Sequence, residues 1–348
     1  MKILYHFPNP DTLYAGRTIA YGYKNAFTDL GHSFTFLTPQ VNQKKLLIDY
    51  KPDIFITSFN RLSIKYLNLD VLKIAKKRGA KVFVNIPFWN SPISRSRFNE
   101  QGSLKDSRLF LDLVSHNYYG DIYFNICAPD DLRMKGLHKK TGHAHKTLLL
   151  AADKTMLYPE FDKKFIADIS YIGTNLPEKR HFFKTVILPL KDKYDIKIYG
   201  QDWTLLNRGL GFIQRIGQYY NIPQVKSLCK PTLQLSDERK IYSSCQISIN
   251  VHELYQQKYG DLNERTFKIP LGGGFEICDD VYGIENIFTP QKNIVIAKNK
   301  NDWWDKIKYY TKYPDKRKSI IDEGRKLILK NHTYHHRVKT MLDWYSEI

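Results

Sequence analysis

The chain has 348 residues, 42% hydrophobic and 14% aromatic, which excludes a disordered polymer and gives room for two cores of ordinary domain size. No apolar run reaches the length of about 18 that a membrane helix needs, and the strand-like opening MKILYHF argues against a cleaved signal peptide. Lys and Arg number 54 against 35 Asp and Glu, a net charge of +19, and residues 1–150 are the more basic part (22 against 11) compared with 151–348 (32 against 24). That surplus fits either a lysine-rich background composition or an anionic partner for the first part, such as nucleic acid, an acidic polymer or a lipid headgroup surface.

In chain order, MKILYHF (1–7) reads as a strand, 18–30 as a helix closed by Gly31, and SFTFLTP (33–39) as a second strand. A helix near 41–50 precedes strand KPDIFITSF (51–59). A helix over 62–79 closes at Gly79 and precedes strand KVFVNIPF (81–88). A helix near 104–116 and strand DIYFNICA (121–128) complete the first alternation. The second alternation runs through strand DISYIG (168–173), a helix over 178–190, strand DIKIYG (195–200), helix 238–245 and strand QISINVH (246–252). Strand NIVIAKN (293–299) and helices at 301–312, 314–330 and 333–346 end the chain. Helices alternating with strands predict parallel sheets covered on both faces, hence an α/β protein of two doubly wound domains. The expected boundaries are 1–155, 156–330 and a terminal helix in 331–348. Ligands of such sheets bind at the carboxyl ends of the strands.

The four cysteines (Cys127, Cys229, Cys245, Cys278) form no C-x-x-C pair and read as reduced thiols of a cytoplasmic protein. His143 and His145, with His332, His335 and His336, lack a carboxylate or cysteine to complete a metal set, so no metal is expected.

The stretch NERTFKIPLGGGFEICDD (263–280) carries three successive glycines, but they leave a helix and enter a strand, so they are not a dinucleotide fingerprint. They suit a left-handed helix cap and a tight turn. Ahead of them, Asn263 reads as an N-cap, with Glu264, Arg265 and Lys268 in the first turns. A helix start with a guanidinium fork and an ammonium suits a diphosphate, and equally describes a solvated charged face.

The set LNERTFKIPLGGGFEICDDV, ISYIGTNLPEKRHFF, IKIYGQDW, IYSSCQISINVH and HTYHHRVKTMLDWY, which spans most of 165–346 in order, resembles the GT-B glycosyltransferases of the CgeB-like, group 1 type. The resemblance implies two Rossmann-like domains facing a central cleft, the second holding a nucleotide-sugar donor such as a UDP-sugar and the first an acceptor hydroxyl. The C-terminal helix would pack back across the domain junction. The implied donor site comprises Gly173, Thr174, Arg180, Tyr199, Gly200, His252, Asn263, Glu264, Arg265, Thr266, Lys268 and Gly273. Relatives often carry a glutamate for the ribose five residues before the second glycine, where this chain has Lys268; Glu264, one turn earlier, is the substitute carboxylate. The absence of a D-x-D triplet agrees with metal-independent transfer, with the nucleotide-sugar as co-substrate and no cofactor.

For an inverting reaction the base candidates are His6, Asp11, Asp130 and Asp131, all at strand ends of the first domain. Trp89, Arg95 and Arg97 are the acceptor-side candidates. A glycan or surface polysaccharide precursor is the default acceptor. The alternatives are a phage-type DNA-base glycosyltransferase and a nucleotide-sugar-binding protein without catalysis, and peripheral membrane contact is compatible with the charge.

Overall fold

The computed structural model describes residues 1–89, 120–226, 228 and 232–348. Two compact units divide them: Met1–Thr12 with Tyr23–Leu149 and Arg337–Ile348, and Leu13–Gly22 with Leu150–His336. The helix α1 (Ala15–Asp29) is therefore shared between them.

In the first unit, β1 (Lys2–His6), β2 (Ser33–Leu37), α2 (Gln43–Tyr50), β3 (Ile54–Ser58), α3 (Arg61–Tyr66), α4 (Leu69–Lys77), β4 (Lys81–Asn85), β5 (Ile122–Asn125), α5 (Leu137–Thr141) and β6 (His145–Thr147) follow in order. The sheet runs β2-β1-β3-β4-β5-β6, and every pairing is parallel. Near-continuous apolar runs such as Ile54–Ile56 and Val82–Val84 are buried, as strands covered on both faces require. The predicted helix over 62–79 is two helices. Leu67 turns extended, and the Asn68 side chain accepts the Asp70 N–H at 2.9 Å, so an Asx cap restarts the chain where apolar periodicity alone runs on. The helix expected at 104–116 lies outside the described residues.

In the second unit, β7 (Ala167–Ile172), α6 (Pro177–Phe182), β8 (Ile196–Tyr199), α7 (Leu205–Tyr220), α8 (Pro223–Lys226), α9 (Asp237–Ser244) and β9 (Cys245–Asn250) come first. Then follow α10 (Leu254–Tyr259), α11 (Arg265–Leu271), β10 (Glu276–Asp279), β11 (Val295–Ala297), α12 (Lys300–Lys312), α13 (Pro314–Asn331) and α14 (Tyr334–Ser346). The parallel sheet is ordered β11-β10-β9-β7-β8. Its core joins Ile169, Tyr171, Ile247, Ile249 and Ile277 to Phe183, Trp303 and Ile307.

The single helix predicted over 178–190 instead ends at Phe182, passes through a π turn (Phe183–Ile187) and closes in a 3₁₀ turn (Leu188–Leu190). Pro189 lacks the N–H that an α-helix would use there. No sequence expectation covers the helix α7, although its apolar residues recur at helical spacing; they face outward in the fold. Ala152 exchanges backbone hydrogen bonds with His332 (3.1 Å) and Tyr334 (2.9 Å), which ties residues 150–152 to the second unit. Trp344 lies in the first unit against Phe83 and Phe124, at ring distances of 6.4 and 6.1 Å. Among the described residues no helix is long and apolar enough to cross a membrane.

Candidate functional site

In the second sheet, β7 is flanked by β8 on one side and β9 on the other. The chain leaves β7 and β9 toward opposite faces, so their carboxyl ends form the switch-point crevice at which open α/β sheets bind ligands. Gly173 follows β7 there. Its N–H donates to Tyr199 O at 2.9 Å, and its carbonyl accepts the Trp203 indole N–H at 2.8 Å. Gly200, after β8, has φ +123°, and a Cβ on it would collide with the Gly173 carbonyl. These two loops therefore meet backbone to backbone, a packing open only to glycine.

The residue at this crevice is Arg265. It donates from Nη2 to Val251 O at 3.0 Å, from Nη1 to Ile172 O at 3.4 Å and from Nε to Asn250 Oδ1 at 3.1 Å, with its guanidinium 5.3 Å over the Tyr171 ring. The cation thus spans the carboxyl ends of β7 and β9. No carboxylate among the described residues lies within ion-pair distance of it. A permanent charge held on carbonyls and an amide, beside the buried and unpartnered Tyr171 hydroxyl, is arranged to receive an anion.

Asn250 is the hub below it. Its Oδ1 accepts from Arg265 and from Asn263 Nδ2 (2.9 Å), while its Nδ2 donates to Glu276 Oε1 (2.8 Å) and Thr266 Oγ1 (3.0 Å). Glu276 is buried within β10, and desolvation pushes its carboxyl up to about 8, so it is protonated at neutral pH and leaves the Arg265 charge uncancelled. Beside this hub, His252 Nδ1 lies 2.6 Å from Asp279 Oδ1. Its Nε2 faces Asn263 N–H and Thr266 Oγ1, both at 3.2 Å. Burial lowers the proton affinity of His252 more than Asp279 raises it, so the ring is neutral, donating to Asp279 and accepting from the loop. With Cys278 these groups form a close His–Cys–Asp set, but the Nδ1 a metal would need is already committed to Asp279.

The helix start itself departs from the sequence expectation. Asn263 supplies both its backbone O (3.3 Å) and its Oδ1 (3.4 Å) to the Thr266 N–H, and the helix begins at Arg265. Lys268 and Glu264 are neither a solvated face nor a free clamp. Lys268 Nζ pairs with Glu238 Oε2 at 2.5 Å, and Glu264 accepts from Thr18 Oγ1 (2.5 Å) and Tyr334 OH (2.6 Å). Burial raises the Glu264 carboxyl while Lys268 pulls it down. These residues line a cavity of about 30 Å³, enough for one or two waters and not for a nucleoside. Gly272 ends the helix, and Gly273, at φ +78°, makes the left-handed turn expected of the triplet.

Of the remaining expected donor residues, Thr174 sits in the loop after β7, and Arg180 reaches Asn175 O at 3.4 Å with its Nε unpartnered. Tyr199 turns away, edge-on to Phe165. In the first unit, His6 ends β1 with Nδ1 3.0 Å from Thr57 Oγ1 and Nε2 unpartnered; burial lowers its pKa to about 3. Asp11 and Asp130 are exposed. Asp131 is tied to the buried Arg133 at 2.6 Å and caps a 3₁₀ turn, which suits structure more than proton transfer. Trp89 packs on the first core, while Arg95 and Arg97 lie outside the described residues. Sequence reasoning missed Asn250, Glu276, Asp279 and Glu238. A signal was present in the buried strands themselves, where Asn250 closes CQISIN and Glu276 and Asp279 bracket EICD.

Residues 179–343 match the family model described as glycosyl transferase-like. Sucrose-phosphate synthase from Thermosynechococcus elongatus is similar in structure with a TM-score of 0.65 at 12% identity, covering 100% of this chain and 98% of that one. An alpha-glucosyltransferase in complex with UDP and a 13-mer DNA containing an HMU base gives 0.67 at 13% identity, with 99% of both chains covered. HepE from Anabaena, in complex with UDP and glucose, gives 0.62 at 11% identity over 100% of both chains. No curated protein sequence matched. These likenesses extend over the whole chain and both parallel sheets and show a GT-B fold, with the glycosyl transferase-like family model matched over residues 179–343.

Proposed function

We propose that the chain transfers a sugar from a uridine diphosphate sugar to an acceptor hydroxyl, with Arg265 facing the diphosphate. The observation that carries this reading is the Arg265 cation at the β7–β9 crevice, held on Ile172 and Val251 carbonyls without a carboxylate partner. A diphosphate there gains a charge-assisted fork, and the leaving group's developing charge is stabilised where the cation already stands. The Gly173–Gly200 contact keeps side chains away from the same spot, which leaves room for a diphosphate beside Arg265. Uridine is favoured because similar structures at 11–13% identity, HepE and the alpha-glucosyltransferase, were solved with UDP. The acceptor side falls to the first unit, where His6 keeps an unpartnered Nε2 at the end of β1.

A thermal-shift series with UDP, UDP-glucose, ADP and GDP tests the donor. UDP should raise the melting point in proportion to the logarithm of its concentration, and Arg265→Gln should weaken binding roughly thirtyfold or more. If no nucleotide moves the transition, the donor assignment fails. If UDP binds equally well to the Arg265→Gln protein, the crevice assignment fails.

A second reading gives the acceptor as a DNA base. It is favoured by the net +11 of residues 1–150 and by the likeness to an alpha-glucosyltransferase solved with DNA. Transfer to duplex DNA that falls steeply with salt supports it. Salt-insensitive transfer to an oligosaccharide, with none to DNA, excludes it.

A further inference from the structure

The helix α7 is built inside out. Its buried positions are Gly211, Gln214, Gly217 and Gln218, while Leu205 is 82% exposed, Leu206 71%, Tyr220 63% and Phe212 59%, with Ile213 and Ile216 also exposed. A soluble helix normally turns its apolar stripe to the core. At about 100° per residue, the outward positions fall on one continuous arc of about 120°, from Phe212 through Leu205 and Tyr220 to Leu206. The inward face is polar for reasons of fit. Gly217 admits Val225 of α8, where a Cβ would lie 2.6 Å from the valine Cβ. Gln214 Nε2 donates to Lys226 O at 2.6 Å, and Gly211 lies against Asp202. These contacts fix the helix with its apolar side outward, so the exposure is enforced by packing.

We propose that this face docks on an anionic lipid surface. Charge selects the occupant. Residues 203–235 contain Arg208, Arg215, Lys226 and Lys230 and no Asp or Glu, in a chain of net charge +19. Arg208 and Arg215 fall together at one edge of the apolar arc; Arg215, 45% exposed, lies over the Tyr14 ring and 3.8 Å from Asp202 Oδ2, a long half-exposed pair that a headgroup phosphate can compete with. An apolar face edged by arginines is the arrangement of helices that lie in a headgroup layer. A second copy of the chain suits the face poorly. It would bring two strongly basic molecules together, and 16 residues of helix present a strip of about 24 by 10 Å, well under the roughly 800 Å² per partner of a stable interface.

Co-sedimentation of the full chain with vesicles tests this. Vesicles of equimolar phosphatidylglycerol and phosphatidylcholine should bind the protein, less so as salt rises, and pure phosphatidylcholine should bind it weakly. Leu206→Gln and Phe212→Gln should each lower partitioning on the order of tenfold without lowering the melting point, since both side chains point outward. Arg208→Gln with Arg215→Gln should lower binding to the anionic vesicles only, by about fivefold per charge. Failure of the intact protein to bind anionic vesicles overturns the proposal, as does binding that the apolar variants leave unchanged. A dimer that those variants dissolve, without vesicle binding, overturns it too and assigns the face to a second copy.

Discussion

Replacement of Lys268 by methionine isolates its buried pair with Glu238. The Lys268 and Glu238 side chains are 10% and 13% exposed and 2.5 Å apart, and Glu264 lies four residues earlier on the same helix. Methionine keeps most of the stem volume but leaves the Glu238 carboxylate without its cation and beside a second carboxyl group. Removing one partner of a buried pair costs about 3–5 kcal/mol, and the slight exposure here argues for about 3. For a unit of this size that lowers the melting midpoint by roughly 6–12 °C. The assay is urea unfolding at neutral pH of Lys268→Met, Glu238→Met and the double variant. The double variant should regain most of the loss, with a coupling of about 2 kcal/mol or more, because no charge is then left buried alone. A loss below about 1 kcal/mol for Lys268→Met, or strictly additive single effects, would refute the reasoning. The pair would then be a solvated surface contact.

The pH dependence follows from Glu276. Its pKa rises from 4.5 to about 8 in the fold, so the folded state holds a proton that the unfolded chain releases, and stability is lost as pH climbs through that window. Glu276→Gln should flatten the decline of the urea midpoint between those values; parallel curves for the two proteins would show that the carboxyl is not held neutral. Gly200→Ala should destabilise the second unit by at least about 2 kcal/mol and weaken UDP binding, since the new methyl group meets the Gly173 carbonyl at φ +123°. Wild-type stability in that variant would mean that the two loops separate freely.

The parallel α/β character and the two alternations were legible because periodicity and helix stops are local. Runs such as IFIT and VFVN can only be doubly covered strands, and Gly31 and Gly79 both take the left-handed turns that end helices. The glycine triplet, too, was readable as a cap and turn. Arg265 stood out by its place after Asn263, but its carbonyl partners on two different strands depend on strand order, which local pattern does not encode. The same limit hid Asn250 and Glu276: polar residues in a buried strand signal a role, and only packing says with which neighbour.

By itself, the sequence determined the fold class, the glycosyltransferase resemblance and the basic charge, all carried by composition, short-range spacing and motif order. The tertiary structure alone decided where charges end. Lys268 is neutralised by Glu238, thirty positions away, and Glu264 accepts hydrogen bonds from the Thr18 and Tyr334 hydroxyls. It also decided that α7 presents its apolar side outward, because the inward face is set by how closely Val225 and Asp202 approach. The physical reason is common to these cases: ion pairing and close packing act over a few ångströms in space, and separation along the chain does not report them.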